Sequence, residues 1–120
     1  MGEQRLIIEM GMGNDLHGQD YTKAAARAIE DAFRHSSLPI FGATGMTHDQ
    51  MRVQVTVGVQ EPDKVDVAVL ANTLPRGRAE VHAVKGGLNV DAGGETIVVA
   101  QASIEAFLPP QTGWRLKKLR

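Results

Sequence analysis

A glycine-rich bend between an apolar run and an amphipathic segment makes the start of this chain a strand, a turn and a helix. The bend is Gly11-Met12-Gly13-Asn14-Asp15-Leu16-His17-Gly18. It follows Leu6-Ile7-Ile8-Glu9-Met10 and precedes an alanine-rich segment of helical periodicity. Glycine adopts backbone angles that other residues resist, and it lets a ligand approach the main chain. A helix N-terminus after such a turn presents unpaired N–H groups to an anion. The stretch is therefore the candidate site.

Residues 5–12 read as the first strand, with Leu6, Ile8, Met10 and Met12 on one face and Ile7, Glu9 and Gly11 on the other. Apolar residues on both faces suggest a central, covered strand, and Met10 and Met12 read as core. A helix follows over about 22–35, capped by Asp20 or Thr22. Its stripe is Ala25, Ala26, Ile29, Ala32 and Phe33, and Arg27–Asp31 and Glu30–Arg34 have ion-pair spacing. Residues 36–50 read as a long loop, of the kind that forms a lid, a partner contact or a plain crossover.

The clearest strand is 51–60, where Met51, Val53, Val55, Val57 and Val59 alternate with Arg52, Gln54, Thr56, Gly58 and Gln60. Its polar face meets solvent or a water-containing subunit interface. Pro62 suits a first helical turn, so 63–72 reads as a short helix, although Val65 to Val69 also alternates as a strand would. Residues 78–85 form a third strand, 86–94 a glycine-rich connection and 95–107 a fourth strand. A basic tail runs over about 109–120, with Trp114 as its large anchor.

The expected fold is one α+β domain over 1–120, with element order β-α-β-α-β-β and a mixed four-stranded sheet carrying its helices on one face. The other face then needs a cover, and the simplest cover is another copy of the chain, so a homo-oligomer is expected. With 120 residues a single domain builds a core without staples. A formal net charge of −1 argues against general nucleic-acid binding, and low aromatic content argues against a base-stacking surface. No run is long enough to span a bilayer, and no signal peptide is visible. The absence of cysteine excludes disulfides and thiolate metal sites and fits a cytoplasmic location.

The bend is neither a dinucleotide fingerprint, since Leu16 stands where the third glycine belongs, nor a P-loop, since Gln19 stands where lysine is required. Anion binding through backbone N–H groups and Lys23 stays open beside a plain glycine turn. In an extended segment, Asp15 and His17 project to the same side. Three readings follow: a carboxylate orienting an imidazole for proton transfer, two ligands of a metal site, or a local turn hydrogen bond. A metal would need a third ligand from Asp20, His48, His82 or a neighbouring subunit, and no metal set is assigned. His82 beside Glu80 reads as a surface or interface group, and His35 as a partner for the negative end of its helix. Lys85, before Gly86-Gly87, could neutralise an anionic ligand.

Gly11-x-Gly13-x-Asp15-x-His17-Gly18 resembles the G-x-G-x-D-x-H-G signature of an uncharacterised family of small bacterial proteins with longer plant relatives. The match extends through Asp20-x-Thr22-Lys23-Ala24-Ala25, Arg27-Ala28, Ser37-Leu38-Pro39 and Lys85-Gly86-Gly87. That family carries no assigned function. Its element order looks like the trimeric chorismate-mutase and ribonuclease-like deaminase folds, which implies a trimer or larger ring with ligands in clefts between subunits. No chorismate-mutase set of arginines can be matched residue by residue, so that activity is not carried over.

The sequence thus leads to a small-molecule site, for an anionic metabolite, at a subunit interface. Asp15 and His17 would be its catalytic groups if it is an enzyme. Gly11, Gly13, Gly18, Lys23, Lys85 and Gly86 would be its ligand-binding groups. The alternatives are an assembly protein that uses the same motif as a structural turn, and a metal-dependent site.

Overall fold

A computed structural model describes residues 3–34, 51–74 and 78–110. The expected loop at 36–50, His35, His48 and most of the basic tail with Trp114 lie outside the described residues. The described chain forms β1 (Gln4–Asp15), α1 (Tyr21–Phe33), β2 (Arg52–Val59), a 3₁₀ turn (Pro62–Lys64), α2 (Val67–Asn72), β3 (Arg78–Lys85), β4 (Leu88–Ala92) and β5 (Glu95–Leu108). The fold is α+β with a mixed sheet, as expected, but the sheet has five strands and not four. Its order is β1-β5-β2-β3, with β4 paired to β5 beyond the end of β2. Among the described strands only the β2–β3 pair is parallel.

The extra strand lies inside the glycine-rich 86–94 stretch. Leu88-Asn89-Val90-Asp91-Ala92 alternates, but glycine pairs frame it on both sides and disguise a five-residue strand as a loop. Gly93 and Gly94, at φ +65° and +93°, make the two-residue hairpin turn that joins β4 to β5. The 63–72 region takes the helical alternative, broken into a 3₁₀ turn and α2 where Asp66 caps α2 by accepting from the Val69 N–H at 3.1 Å.

The core lies between the sheet and α1. Val53, Val55, Val57 and Val59 of β2 and the even-numbered residues Val98 to Leu108 of β5 point to the helix side. They meet Tyr21, Ala24, Ala25, Ala28, Ile29 and Ala32 of α1. The helix begins where Asp20 accepts from the Lys23 N–H at 3.0 Å. Its alanines let it sit close to the sheet, and the contact is closest over β1. A Cβ on Gly11 would lie 2.4 Å from both the Ala28 carbonyl oxygen and the Ala32 nitrogen; one on Gly13 would lie 2.4 Å from the Ala28 nitrogen. What comes near the main chain at these glycines is the backbone of α1.

Among the described strands β1 lies at the edge of the sheet, where the sequence led to a central position. Its outer edge is closed by α1 side chains: the Met12 N–H donates to Asp31 Oδ2 at 2.9 Å and Arg27 Nη1 donates to the Asn14 carbonyl at 2.6 Å. Its apolar residues on the second face are not core either. Ile8, Met10 and Met12 are exposed on the side of the sheet away from the helices, Met10 by 66% and Met12 by 58%.

Candidate functional site

β1 ends at Asp15, and Leu16, His17 and Gly18 bend before α1. Gly18 turns the chain at φ +87°, where a side chain would be strained. Gly11, Gly13 and Asp15 alternate onto the helix side of β1, so the Asp15 carboxylate is buried, with 3% of the residue exposed. Its Oδ2 accepts from the Asp20 N–H at 2.9 Å, and its Oδ1 lies 3.7 Å from Arg27 Nη1 and 4.0 Å from Lys23 Nζ. This carboxylate thus braces the bend against the first turns of α1, and Lys23 is drawn to it.

His17 does not share that environment. The bend takes it out of strand geometry, so the two side chains are not carried to one side. The imidazole is exposed, and its Nδ1 lies 2.6 Å from Glu95 Oε2 at the start of β5. It ties the bend to the β4–β5 hairpin. Among the described residues no group of three or more His, Cys, Asp or Glu is placed to hold a metal.

A second network joins α1 to the far ends of β2 and β4. The buried Tyr21 hydroxyl donates to Glu61 Oε2 at 2.8 Å and accepts from Asn89 Nδ2 at 2.8 Å. The Tyr21 hydroxyl first, and then the Lys64 ammonium, hold the Glu61 carboxyl below its ordinary value. Thr22 Oγ1 accepts from the Asp66 N–H at 2.9 Å, fixing the start of α2 to the start of α1.

Among the described residues a larger groove lies elsewhere, on the sheet face away from the helices. Strand register places Met10, Ser103, Thr56 and His82 in one row across that face, and Met12, Gln101, Gly58 and Val84 in the next. Gly58 contributes no side chain to its row, which leaves a trough. The groove there has a volume of about 580 Å3 and reaches Lys85 and Gly86. Its floor is shaped by a crossing. The Gly86 N–H donates to the Val59 carbonyl at 2.9 Å, and Gln60 Nε2 donates to the Gly86 and Gly87 carbonyls. A Cβ on Gly87, at φ +61°, would lie 2.2 Å from the Val99 carbonyl oxygen. The glycine pair thus carries the chain over the end of β2 into the lane that β4 occupies.

Of the expected ligand-binding residues, the groove gathers Gly11, Lys85 and Gly86. Gly13 packs against α1, Lys23 faces Asp15, and Gly18 borders a separate hollow of about 250 Å3 beside Glu95. Thr56, Gln101 and Ser103 were not singled out in the sequence; the polar alternation of β2 marked Thr56, but nothing local distinguishes Ser103 from any other polar strand residue. Lys85 has no carboxylate within 4.0 Å among the described residues, whereas Arg5, Arg34, Arg52 and Lys64 each have one at 3.2 Å or closer. The groove therefore combines thioether and valine walls, hydroxyl and amide groups on its floor, Asp31 at its β1 edge and, at its other end, the exposed Lys85, which register sets beside Val59. Such a surface can bind and orient a small polar molecule with an anionic end. No helix among the described residues is long and apolar enough to cross a membrane.

A solved structure similar to this chain is that of an FtsZ-like protein of unknown function from Nostoc punctiforme PCC 73102. It is 32% identical, covers 92% of this chain and 99% of its own, and superposes with a TM-score of 0.82. No curated protein matches the chain. The sequence model of the family described as "Conserved hypothetical protein (Lin0512_fam)" matches residues 5–106, and the chain belongs to that family.

Proposed function

We propose that this protein is a small-molecule binding module whose site is the groove on the open face of the sheet. The ligand is a small polar metabolite with a carboxylate or phosphate group. The carrying observation is a groove of about 580 Å3 on the open face, bordered at the end of β3 by Lys85, a cation with no carboxylate partner among the described residues. That volume falls within the roughly 300–1,000 Å3 of small-molecule sites. The Thr56 and Ser103 hydroxyls and the Gln101 amide both donate and accept, so they suit hydroxyl or carbonyl groups on the ligand. The Met10 and Met12 side chains supply an adaptable apolar wall. Asp15 and His17 act on this reading as positioning groups: one fastens the bend to α1, the other fastens it to the hairpin.

The test is a thermal-shift screen with inorganic phosphate and short mono- and dicarboxylates, followed by calorimetric titration. At least one probe should stabilise the wild-type protein. Lys85→Ala should weaken that probe about tenfold to a hundredfold, the worth of a hydrogen bond to a charged group. His17→Asn, outside the groove, should leave its affinity unchanged. Failure of every probe, or equal affinity in Lys85→Ala, refutes the proposal.

A further inference from the structure

The open face is divided into two unlike ends. At the end where β1 begins, the outward residues are charged and already satisfied within the chain: Arg5 pairs with Glu105 at 3.1 Å, and Arg52 reaches Glu3 at 2.9 Å and Glu80 at 3.6 Å. At the other end the rows turn apolar. Met12 and Val84 flank the groove, and the next rows bring Leu88 beside Val99 and Val90 beside Ile97.

The β4 strand sharpens the contrast. None of its five residues is buried, and Leu88 is 61% and Val90 41% exposed. The strand pairs with β5 alone and is pinned to α1 by the Asn89–Tyr21 hydrogen bond, yet it turns valine and leucine to water.

We infer that the apolar end of this face docks against the same face of a second copy of the chain, which roofs the groove. This inference rests on the groove being the ligand site only for the roofing, not for the docking. The patch is four lanes wide through the Met10 and Met12 rows, three at Asn14–Val99–Leu88 and two at Ile97–Val90, which is about 420 Å2 in projection. Two such patches bury roughly 850 Å2, the size of a small, reversible interface. The surface suits a like partner: its outer rows carry valine, leucine and isoleucine beside Asn14 and Gln101, and the ion pairs lie at the other end. Face-to-face sheets stack about 10 Å apart. At that spacing a ligand over Gly58 is enclosed between the copies, while the charged ends stay in solvent.

The experiment is sedimentation and light scattering on the full chain and three variants. Wild type should be a dimer or larger at micromolar concentration. Val90→Lys should fold, by far-ultraviolet circular dichroism, and sediment as a monomer, with at least about a hundredfold weaker association for a lysine set in an apolar interface. If Val90→Lys does not fold, Met12→Glu on β1, across β5 from β4, takes its place with the same expected loss. Val69→Lys, exposed on α2 and off this face, should associate as wild type does. Lys85→Ala should also stay assembled, so loss of ligand binding and loss of docking are read separately. A monomeric wild type at about 100 μM, or a face variant that associates as tightly as wild type, overturns the inference.

Discussion

Replacing Gly13 by alanine should push α1 off the sheet. The new methyl would stand 2.4 Å from the Ala28 nitrogen and 2.6 Å from the Arg27 carbonyl carbon, where ordinary contact begins at 3.4 Å. The helix must therefore retreat by about 1 Å along its closest line of approach, because backbone atoms cannot rotate aside as a side-chain tip does. Overpacking of this kind costs about 3 kcal/mol, the upper part of the usual range. Alanine restricts the unfolded chain more than glycine does and returns about 0.5–1 kcal/mol. The net loss is then about 2 kcal/mol, or a fall in Tm of roughly 8 °C for a domain of this size. Chemical denaturation of Gly13→Ala with an unchanged m-value is the assay. The backbone origin of the clash gives a second readout. Ala28→Gly removes a side chain that is not the obstacle, so Gly13→Ala with Ala28→Gly should be no more stable than Gly13→Ala alone. A single variant within about 0.5 kcal/mol of wild type, or rescue by the double variant, would refute the claim that helix backbone is what selects glycine here.

Asp15→Ala should cost about 1–3 kcal/mol in thermal or denaturant melts, since it removes the buried carboxylate that accepts the part-buried Asp20 N–H, while Asp15→Asn, which keeps an acceptor oxygen, should cost clearly less. Equal losses would mean that the charge facing Arg27 and Lys23 matters more than the hydrogen bond. Tyr21→Phe removes the first cause of the lowered Glu61 carboxyl, so a carboxyl NMR titration should show that group moving up toward its ordinary value. Because the folded value is depressed, the stabilisation from Glu61 is complete above the ordinary glutamate value and fades as pH falls through the depressed one. Tyr21→Phe should therefore flatten the acid limb of stability against pH.

Much of the fold could be read in the residues because period and caps acted together. The valine alternation of 51–60 sets β2 and its buried face, and Asp20 with the alanine stripe sets α1. The misreadings share one cause: local pattern does not name the neighbour. Apolar residues on both faces of β1 look the same whether the second face meets core or stays open, so Met10 and Met12 were expected inside. Gly11 and Gly13 announce a close approach without saying what approaches. Their period did hold a usable signal, since Gly11, Gly13 and Asp15 alternate onto one face and the acid follows the glycines toward the helix. His17 has the same parity, but the strand ends two residues earlier, and parity has no meaning beyond a bend. The groove was the least legible feature. It is assembled from β1, β2, β3 and β5, and only Gly11, Lys85 and Gly86 announced themselves.

The position of β5 also governs how this chain acquires its shape as it is made. β1, β2 and β4 all pair with β5, and β1 and β2 do not pair with each other; Gln4 waits for Leu108. As the chain leaves the ribosome, β2 can pair with β3, but β1 and β4 have no strand to join until the residues from Glu95 onward emerge. Such dependence on contacts remote in sequence belongs to the slow end of domain folding. A nascent chain stalled before β5 therefore holds sticky strands with no template, and chaperones would find their clearest target there.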